Sequence, residues 1–316
     1  MIFLMNKVIV ITGPTATGKT ALGIMLAKQL GGEIVSADSM QIYKHMDIGT
    51  AKPTIEERQG IAHHMIDIIM PDEEYSVAHY VEDAIPVVDD IIRRGKVPII
   101  VGGTGLYIES LIAGRLFAPE DKNELREELS EEYDRLGGEH MLSELRKIDP
   151  DSAEALHPND KKRVVRAVEI YKLTGHTMSE HNEESKTVPP RYDAYRLALE
   201  YTDREHLYER INRRVDEMMA QGFFAEAKIL LKMGLTKRHT SMQAIGYKEM
   251  METALGEMWI EDGVESIKKR SRQYAKRQLT WLRRREDVKW ISWDCAPDFD
   301  WGLYISTKYL KSADYI

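Results

Sequence analysis

Gly13, Pro14, Thr15, Ala16, Thr17, Gly18, Lys19 and Thr20 match the pattern G-x-x-x-x-G-K-[ST] in full. The context also fits. Residues 7–12 form an apolar, β-branched run short enough for a strand buried on both faces. Residues 20–30 place Leu22, Leu26 and Leu30 at helical spacing before Gly31 and Gly32. Strand, glycine turn and helix together make a phosphate cradle. The turn lets successive N–H groups and the helix N-terminus converge on phosphate oxygens, Lys19 adds a point charge, and the Thr20 hydroxyl can hold Mg²⁺. The pattern does not say which phosphate compound is bound; a nucleotide such as ATP is only the default.

Further strands alternate with helices. Residues 33–37 deliver Asp38 at a carboxyl end, and residues 97–101 deliver Gly102, Gly103, Thr104 and Gly105. This alternation predicts an α/β fold, a doubly wound parallel sheet of the phosphate-loop type flanked by helices, with ligands bound beyond the carboxyl ends of the strands. From residue 115 to 188 strand-like runs vanish, charge falls on helical periodicity, and residues 120–144 are acidic, which predicts an all-helical insertion closed by Pro189 and Pro190. Residues 194–199 return to the sheet, and residues 205–219, 223–232 and 264–285 read as helices. The expected organisation is a catalytic core of residues 1–114 and 191–316 around an inserted domain of residues 115–190. A length of 316 residues supports about two domains of ~150. The single cysteine, Cys295, excludes an internal disulfide and any multi-cysteine zinc site, and is expected to be buried or half-buried. No apolar run reaches the ~18 residues a membrane span needs, and residues 1–12 read as a strand rather than a signal peptide. A cytoplasmic location is expected.

Three features bear on chemistry. Asp38 suits a metal-positioning acid, a base or an N-cap. Arg210, Arg213 and Arg214 fall on neighbouring helical positions, either as a solvated face or with one arginine clamping a departing phosphate group. Residues 268–285 crowd nine cations into a chain whose formal net charge is −8, which suggests a polyanion partner. Tyr274 and Trp281 interleave with those cations as core or base-stacking groups, and residues 161–166 form a smaller basic cluster. His63 and His64 lack metal-ligand spacing, and the aromatic residues 290–301 read as packing.

The phosphate loop, the stretch from Asp38 to Pro53, GGTGLY from Gly102, LHPNDKKRVVRAVE from Leu156, QAIGYKE from Gln243 and RQYAKRQLTWLR from Arg272 together resemble the bacterial tRNA dimethylallyltransferases, or isopentenyl-tRNA transferases. The motifs run in order from Gly13 to about Arg285. Thr17 and Val168 stand where serine and leucine are more usual, and the zinc-finger extension of some eukaryotic relatives is absent.

The resemblance implies that residues 13–20 bind dimethylallyl diphosphate, whose five-carbon group passes to the exocyclic amine of adenosine 37 beside the tRNA anticodon, releasing diphosphate. It assigns Lys19 and Arg214 to the leaving group, Asp38 to the amine as base, Thr104 to the target nucleotide and Mg²⁺ to Thr20. Ser39, Met40 and Gln41 would line a channel for the extruded base. Gln243, Gly246, Tyr247 and Lys248 would read neighbouring nucleotides. Arg163, Arg166, Arg272, Gln273, Lys276 and Arg277 would hold the anticodon stem-loop, in an A-A-A context at positions 36–38, with the protein acting as a monomer. Two other functions fit parts of the pattern. A small-molecule kinase would explain the phosphate loop but not the basic helix. A nucleotide-gated RNA-binding protein would explain the basic patches but needs a hydrolytic acid that the sequence does not offer.

Overall fold

A computed structural model describes residues 6–114, 117 and 124–316. Residues 1–5, at the head of the first predicted strand, and residues 120–123, at the start of the acidic stretch, lie outside the described residues. The chain divides into two compact units, residues 1–114 with 191–316, and residues 115–190.

In the larger unit the elements run β1 (Asn6–Thr12), α1 (Lys19–Leu30), β2 (Glu33–Ser36), β3 (His63–His64), α2 (Val77–Arg93), β4 (Pro98–Val101) and α3 (Gly105–Ala113). The helical unit holds α4 (Glu124–Leu136), α5 (Gly138–Ile148), α6 (Pro150–Ala155), α7 (Lys161–Thr174) and α8 (Met178–Thr187). The chain returns with β5 (Tyr192–Tyr201), α9 (Arg204–Ala220), α10 (Phe223–Lys232), α11 (Tyr247–Ala254), α12 (Ile260–Leu282), β6 (Val288–Trp293) and α13 (Phe299–Ser312). All six strands are parallel, in the order β3-β2-β4-β1-β5-β6.

The apolar run of β1 is explained by its place. It is paired on both sides, with Ile9 opposite Ile99 and Tyr195, and Val8, Ile9, Val10 and Ile11 are all buried. Helices cover both faces, so the strand reads as continuous rather than alternating hydrophobicity. Helix α1 lays Leu22 and Leu26 against Ile9, Ile11 and Ile34 and stops where Gly31 turns left-handed. A second core gathers Ile42, Tyr43 and Met46 from the long β2–β3 connection against Phe223, Leu230, Tyr247 and Met250.

Some elements escape the periodicity reading. β3 is two residues long, β6 and the start of α13 fall in the aromatic stretch read only as packing, and α11 begins in the segment read as nucleotide contacts. Helix α12 also stops before Arg283, so the last arginines lie beyond its end. Cys295, expected to be at least half-buried, is exposed because it sits in the turn between β6 and α13.

The helical unit packs Leu129, Leu145, Val164 and Val168 into its own core. At its edge Glu169 is fully buried, with Arg126 at 3.0 Å and Arg166 at 2.8 Å neutralising it. Asp149 accepts from Ser152 N at the start of α6 and from Ser179 N in α8, tying two short helices.

At the amino edge of the sheet Glu33 is 4% exposed and receives Arg94, Lys96 and His64, the last binding β3 to its neighbour. The Arg94 guanidinium, followed by Lys96 and His64, outweighs burial and holds the Glu33 carboxyl far below the ordinary carboxylate range. A carboxyl lowered on folding stabilises the folded chain above its unfolded value of about 4.3, and loses that contribution as pH falls through the lowered value. Glu33→Gln should cost about 1–3 kcal/mol at neutral pH and flatten the acid limb of the melting-temperature profile below about pH 4. Melting curves from pH 3 to 8 check both, and a parallel downward shift at every pH would remove Glu33 from the acid response.

Candidate active site

The loops after β2, β4 and β1 are neighbours because the strands are, and backbone bonds bind them at the carboxyl edge. Gly102 N donates to Ile11 O, Ala37 N to Val101 O, and Thr104 N to Ala37 O. The phosphate loop opens at Gly13, whose φ of 138° and approach to Leu199 leave no room for a side chain: a Cβ would stand 2.4 Å from the Leu199 carbonyl oxygen.

The carbonyls of this loop are drawn off by side chains. Lys19 Nζ and Thr17 Oγ1 each donate to Pro14 O at 2.8 Å, Arg210 Nε to Ala16 O at 3.1 Å, and Trp293 Nε1 to Thr17 O at 2.9 Å. No side chain caps α1 at Gly18, so its first-turn amides are left for an incoming acceptor. Arg214 Nη1 donates to Thr15 Oγ1 at 3.0 Å.

The electrostatics of these side chains suit an anion. Desolvation and the neighbouring Arg214 pull the Lys19 ammonium down to about 7, against the opposing pull of Asp38. Burial lowers Arg214 as well, Asp38 again opposing. Two half-buried like charges favour any multiply charged anion that lies between them.

Asp38 is half-buried, and its Oδ1 accepts from Met40 N at 2.9 Å, so the N-cap reading gives way to a tight turn after β2. Oδ2 has no hydrogen-bond partner among the described residues. Thr104 Oγ1 accepts from Ser39 N at 3.1 Å and ties the two loops. Tyr274 on α12 closes this corner; burial, then Asp38, raises its phenol to about 12, and Arg277 lies over its ring at 5.7 Å.

The arginine trio of α9 therefore divides. Arg210 and Arg214 face the phosphate loop, whereas Arg213 is exposed beside Glu217. Other expected nucleotide contacts are occupied otherwise. Gln41 spends its amide on Ser36 and on the carbonyls of Thr50 and Ala51. Tyr247 is fully buried against Phe223 and donates to Glu226, and Gly246 is buried with its N–H on Glu249, so neither can read a base. Their motif builds core, while Gln243 at its start is exposed and Lys248 half-exposed.

On α12, Gln273, Lys276 and Arg277 are exposed and Arg272 is turned to Asn212. Lys268, Arg270, Arg283 and Arg285 pair with acidic residues. Arg163 is exposed on α7, and Arg166 is committed to Glu169.

Sequence reasoning passed over Gln278, Glu226 and the Trp293 indole. Gln278 had a visible signal, a polar residue on the apolar stripe of α12. Glu226, whose carboxylate accepts from the amides of Asp47, Ile48 and Gly49, had none. Lys52 is likewise structural, buried on Tyr43 O, Asp47 and Asp67. Among the described residues no helix is long and apolar enough to cross a membrane.

The IPP transferase family model matches residues 41–285. The tRNA dimethylallyltransferase of Caldanaerobacter subterraneus is 49% identical over 90% of this chain and 91% of its own, and that of Acetivibrio thermocellus 49% over 92% and 93%. Among solved structures, the tRNA isopentenylpyrophosphate transferase of Bacillus halodurans superposes with a TM-score of 0.72 at 42% identity, covering 97% of this chain and 96% of that one. A eukaryotic dimethylallyltransferase acting on tRNA gives 0.83 at 34% identity over 96% of this chain and 78% of that one. With a family model spanning most of its length and relatives near half identity, the chain belongs to the IPP transferase family of tRNA dimethylallyltransferases.

Proposed function

We propose that this chain transfers the dimethylallyl group of dimethylallyl diphosphate to the exocyclic amine of adenosine 37 in tRNA. The observation that carries this is the pair Lys19 and Arg214, two half-buried cations bonded to the phosphate loop, with the open Oδ2 of Asp38 at their edge. An allylic diphosphate needs its leaving group stabilised more than it needs a strong nucleophile. In the transfer, the bond between the allylic carbon and the diphosphate oxygen breaks, with its electron pair leaving on diphosphate. The adenine nitrogen bonds to that carbon and gives a proton to Asp38 Oδ2. Amides of residues 16–20, Lys19 and Arg214 hold the departing charge, and Thr104 holds the Asp38 loop in register. Thr20, near the first turn of α1 with no side-chain partner among the described residues, suits a hard cation together with diphosphate oxygens. Mg²⁺ held there would neutralise part of the leaving group's charge.

A stacked adenine cannot reach such a carbon, so the target base must turn out of the anticodon loop. The exposed cations Lys276 and Arg277 are placed to hold the RNA backbone, and Arg163 offers a further cation on the helical unit. A cytoplasmic location and action as a monomer complete the reading. A kinase or a nucleotide-gated RNA-binding protein has no feature here that favours it over transfer.

Asp38→Ala should slow prenyl transfer by ~10²–10⁴-fold while tRNA affinity stays within about threefold, as expected for a base acting in the chemical step. Single-turnover assays with labelled donor, beside tRNA binding, check this; equal loss of binding would make Asp38 an RNA anchor. Lys276→Ala with Arg277→Ala should weaken tRNA binding and lower the log–log salt slope by about 1 per cation, with little change in bound-state turnover. An unchanged slope would return these residues to solvent. Because burial and Arg214 pull the Lys19 ammonium down to about 7, its support for the anion should fade above that pH. Donor KM should accordingly rise between pH 7 and 9 in the wild type but stay flat in Lys19→Arg, whose guanidinium remains charged.

A further inference from the structure

Helix α12 packs through an apolar stripe that includes Ile267, Ala275 and Leu282, and one polar side chain interrupts it. Gln278 is 7% exposed and spends both ends of its amide on backbone. Its Oε1 accepts from Thr15 N in the phosphate loop at 3.1 Å, and its Nε2 donates to Gly103 O in the loop after β4 at 2.9 Å. The partners fix the orientation of the amide, since a flip would set donor against donor and acceptor against acceptor. The fit is close, for a Cβ on residue 103 would come within 2.3 Å of Nε2.

Each loop held in this way carries a functional group beside the bonded atom. Thr15 receives Arg214 on its hydroxyl while Gln278 holds its N–H, so the residue is gripped from two sides. Gly103 directly precedes Thr104, which in turn holds Ser39 beside Asp38. The same helix presents Lys276 and Arg277 to solvent and Tyr274 to the Asp38 corner. The Thr15 amide, being taken, is not among the loop's donors to a diphosphate.

We propose that Gln278 is a positioning residue that clamps the donor-binding loop to the Thr104 loop and makes α12 the rigid link between a docked tRNA and the donor. The proposal rests on the transferase reading. Misplacing reacting groups by about 1 Å can cost on the order of 10²-fold in rate. A clamp that acts through Thr104 should therefore matter in the chemical step and lose its effect once Thr104 is gone.

The test is a double-mutant cycle on the full chain in single turnover, with saturating dimethylallyl diphosphate, Mg²⁺ and unmodified tRNA. Gln278→Met keeps length and packing but removes both hydrogen bonds. It should slow transfer by about 10–100-fold, leave tRNA affinity within about threefold and move the melting temperature by only a few degrees. Thr104→Ala with Gln278→Met should be no more than about twofold slower than Thr104→Ala alone. Wild-type rate in Gln278→Met, a loss that vanishes at saturation, or losses that multiply fully with Thr104→Ala would overturn the clamp. If Gln278→Met does not fold, Gln278→Glu takes its place in the cycle with the same expectations. It keeps the acceptor for Thr15 and removes the donor for Gly103, and a wild-type rate there overturns the proposal too. A wild-type enzyme that transfers nothing to tRNA takes down the transferase reading and the clamp with it. Failure of the cycle in an active enzyme takes down the clamp alone.

Discussion

Lys19 and Arg214 are two half-buried cations, each bonded to the phosphate loop, and much of the architecture of the larger unit serves to hold them there. Mutual repulsion and desolvation both work against the charged forms, so the surrounding structure has to over-determine their positions. It does so through the phosphate loop itself. Lys19 is tied back to Pro14 O, Arg214 to the Thr15 hydroxyl, and the carbonyls of Ala16 and Thr17 are drawn away by Arg210 and the Trp293 indole. The seven-residue ladder between β1 and β5 delivers α9, with both arginines, alongside the loop. What remains is a concavity of N–H groups and cations that a diphosphate would complete.

The place of Asp38 at the rim of this cluster gives the proposed transfer a consistent charge flow. Before reaction its carboxylate offsets the repulsion between the two cations, opposing the lowering of both Lys19 and Arg214. As the new carbon–nitrogen bond forms, the carboxylate takes the amine proton and loses its charge while negative charge grows on the departing oxygen. The cations pass from one anion to the other at the moment the second needs them. A base placed farther away would take the proton without releasing this attraction.

The phosphate loop, the parallel sheet and the helical insertion were legible because each leaves a periodic or spaced trace: continuous β-branched runs, leucines every fourth residue, and charge on a helical period. β3 and β6 were not, since two residues carry no period and an edge strand among aromatics reads as packing. At the site, residues whose position depends on local spacing were legible: Lys19, Thr20 and Asp38 lie where the strand and loop pattern puts them, at the carboxyl edge of the sheet. Residues whose role depends on a fold-level meeting were not. Arg210 and Arg213 look alike in sequence, and only the phase of α9 against β5 turns one to the loop and the other to water. Tyr247 and Gly246 went the other way: a motif noticed as a unit was assigned to RNA, whereas most of it fills the core under the Asp47–Gly49 turn that Glu226 holds.

The basic helix shows how far raw charge overstates a nucleic-acid surface. Of the nine cations counted between residues 268 and 285, Lys268, Arg270, Arg283 and Arg285 meet carboxylates and Arg272 turns to an amide oxygen. Four side chains, Lys269, Lys276, Arg277 and Arg284, are exposed without an acidic partner among the described residues. Each phosphate neutralised releases about 0.7–0.9 of a counterion, so this element can contribute no more than about four units to the salt slope of RNA binding, roughly half of what the sequence count suggests. The paired cations do other work. Just past the end of α12, Arg285 pairs with Glu109 of α3 and Arg283 with Glu200 of β5. A helix that spent every charge on RNA would keep its apolar stripe but lose these ion pairs at its end.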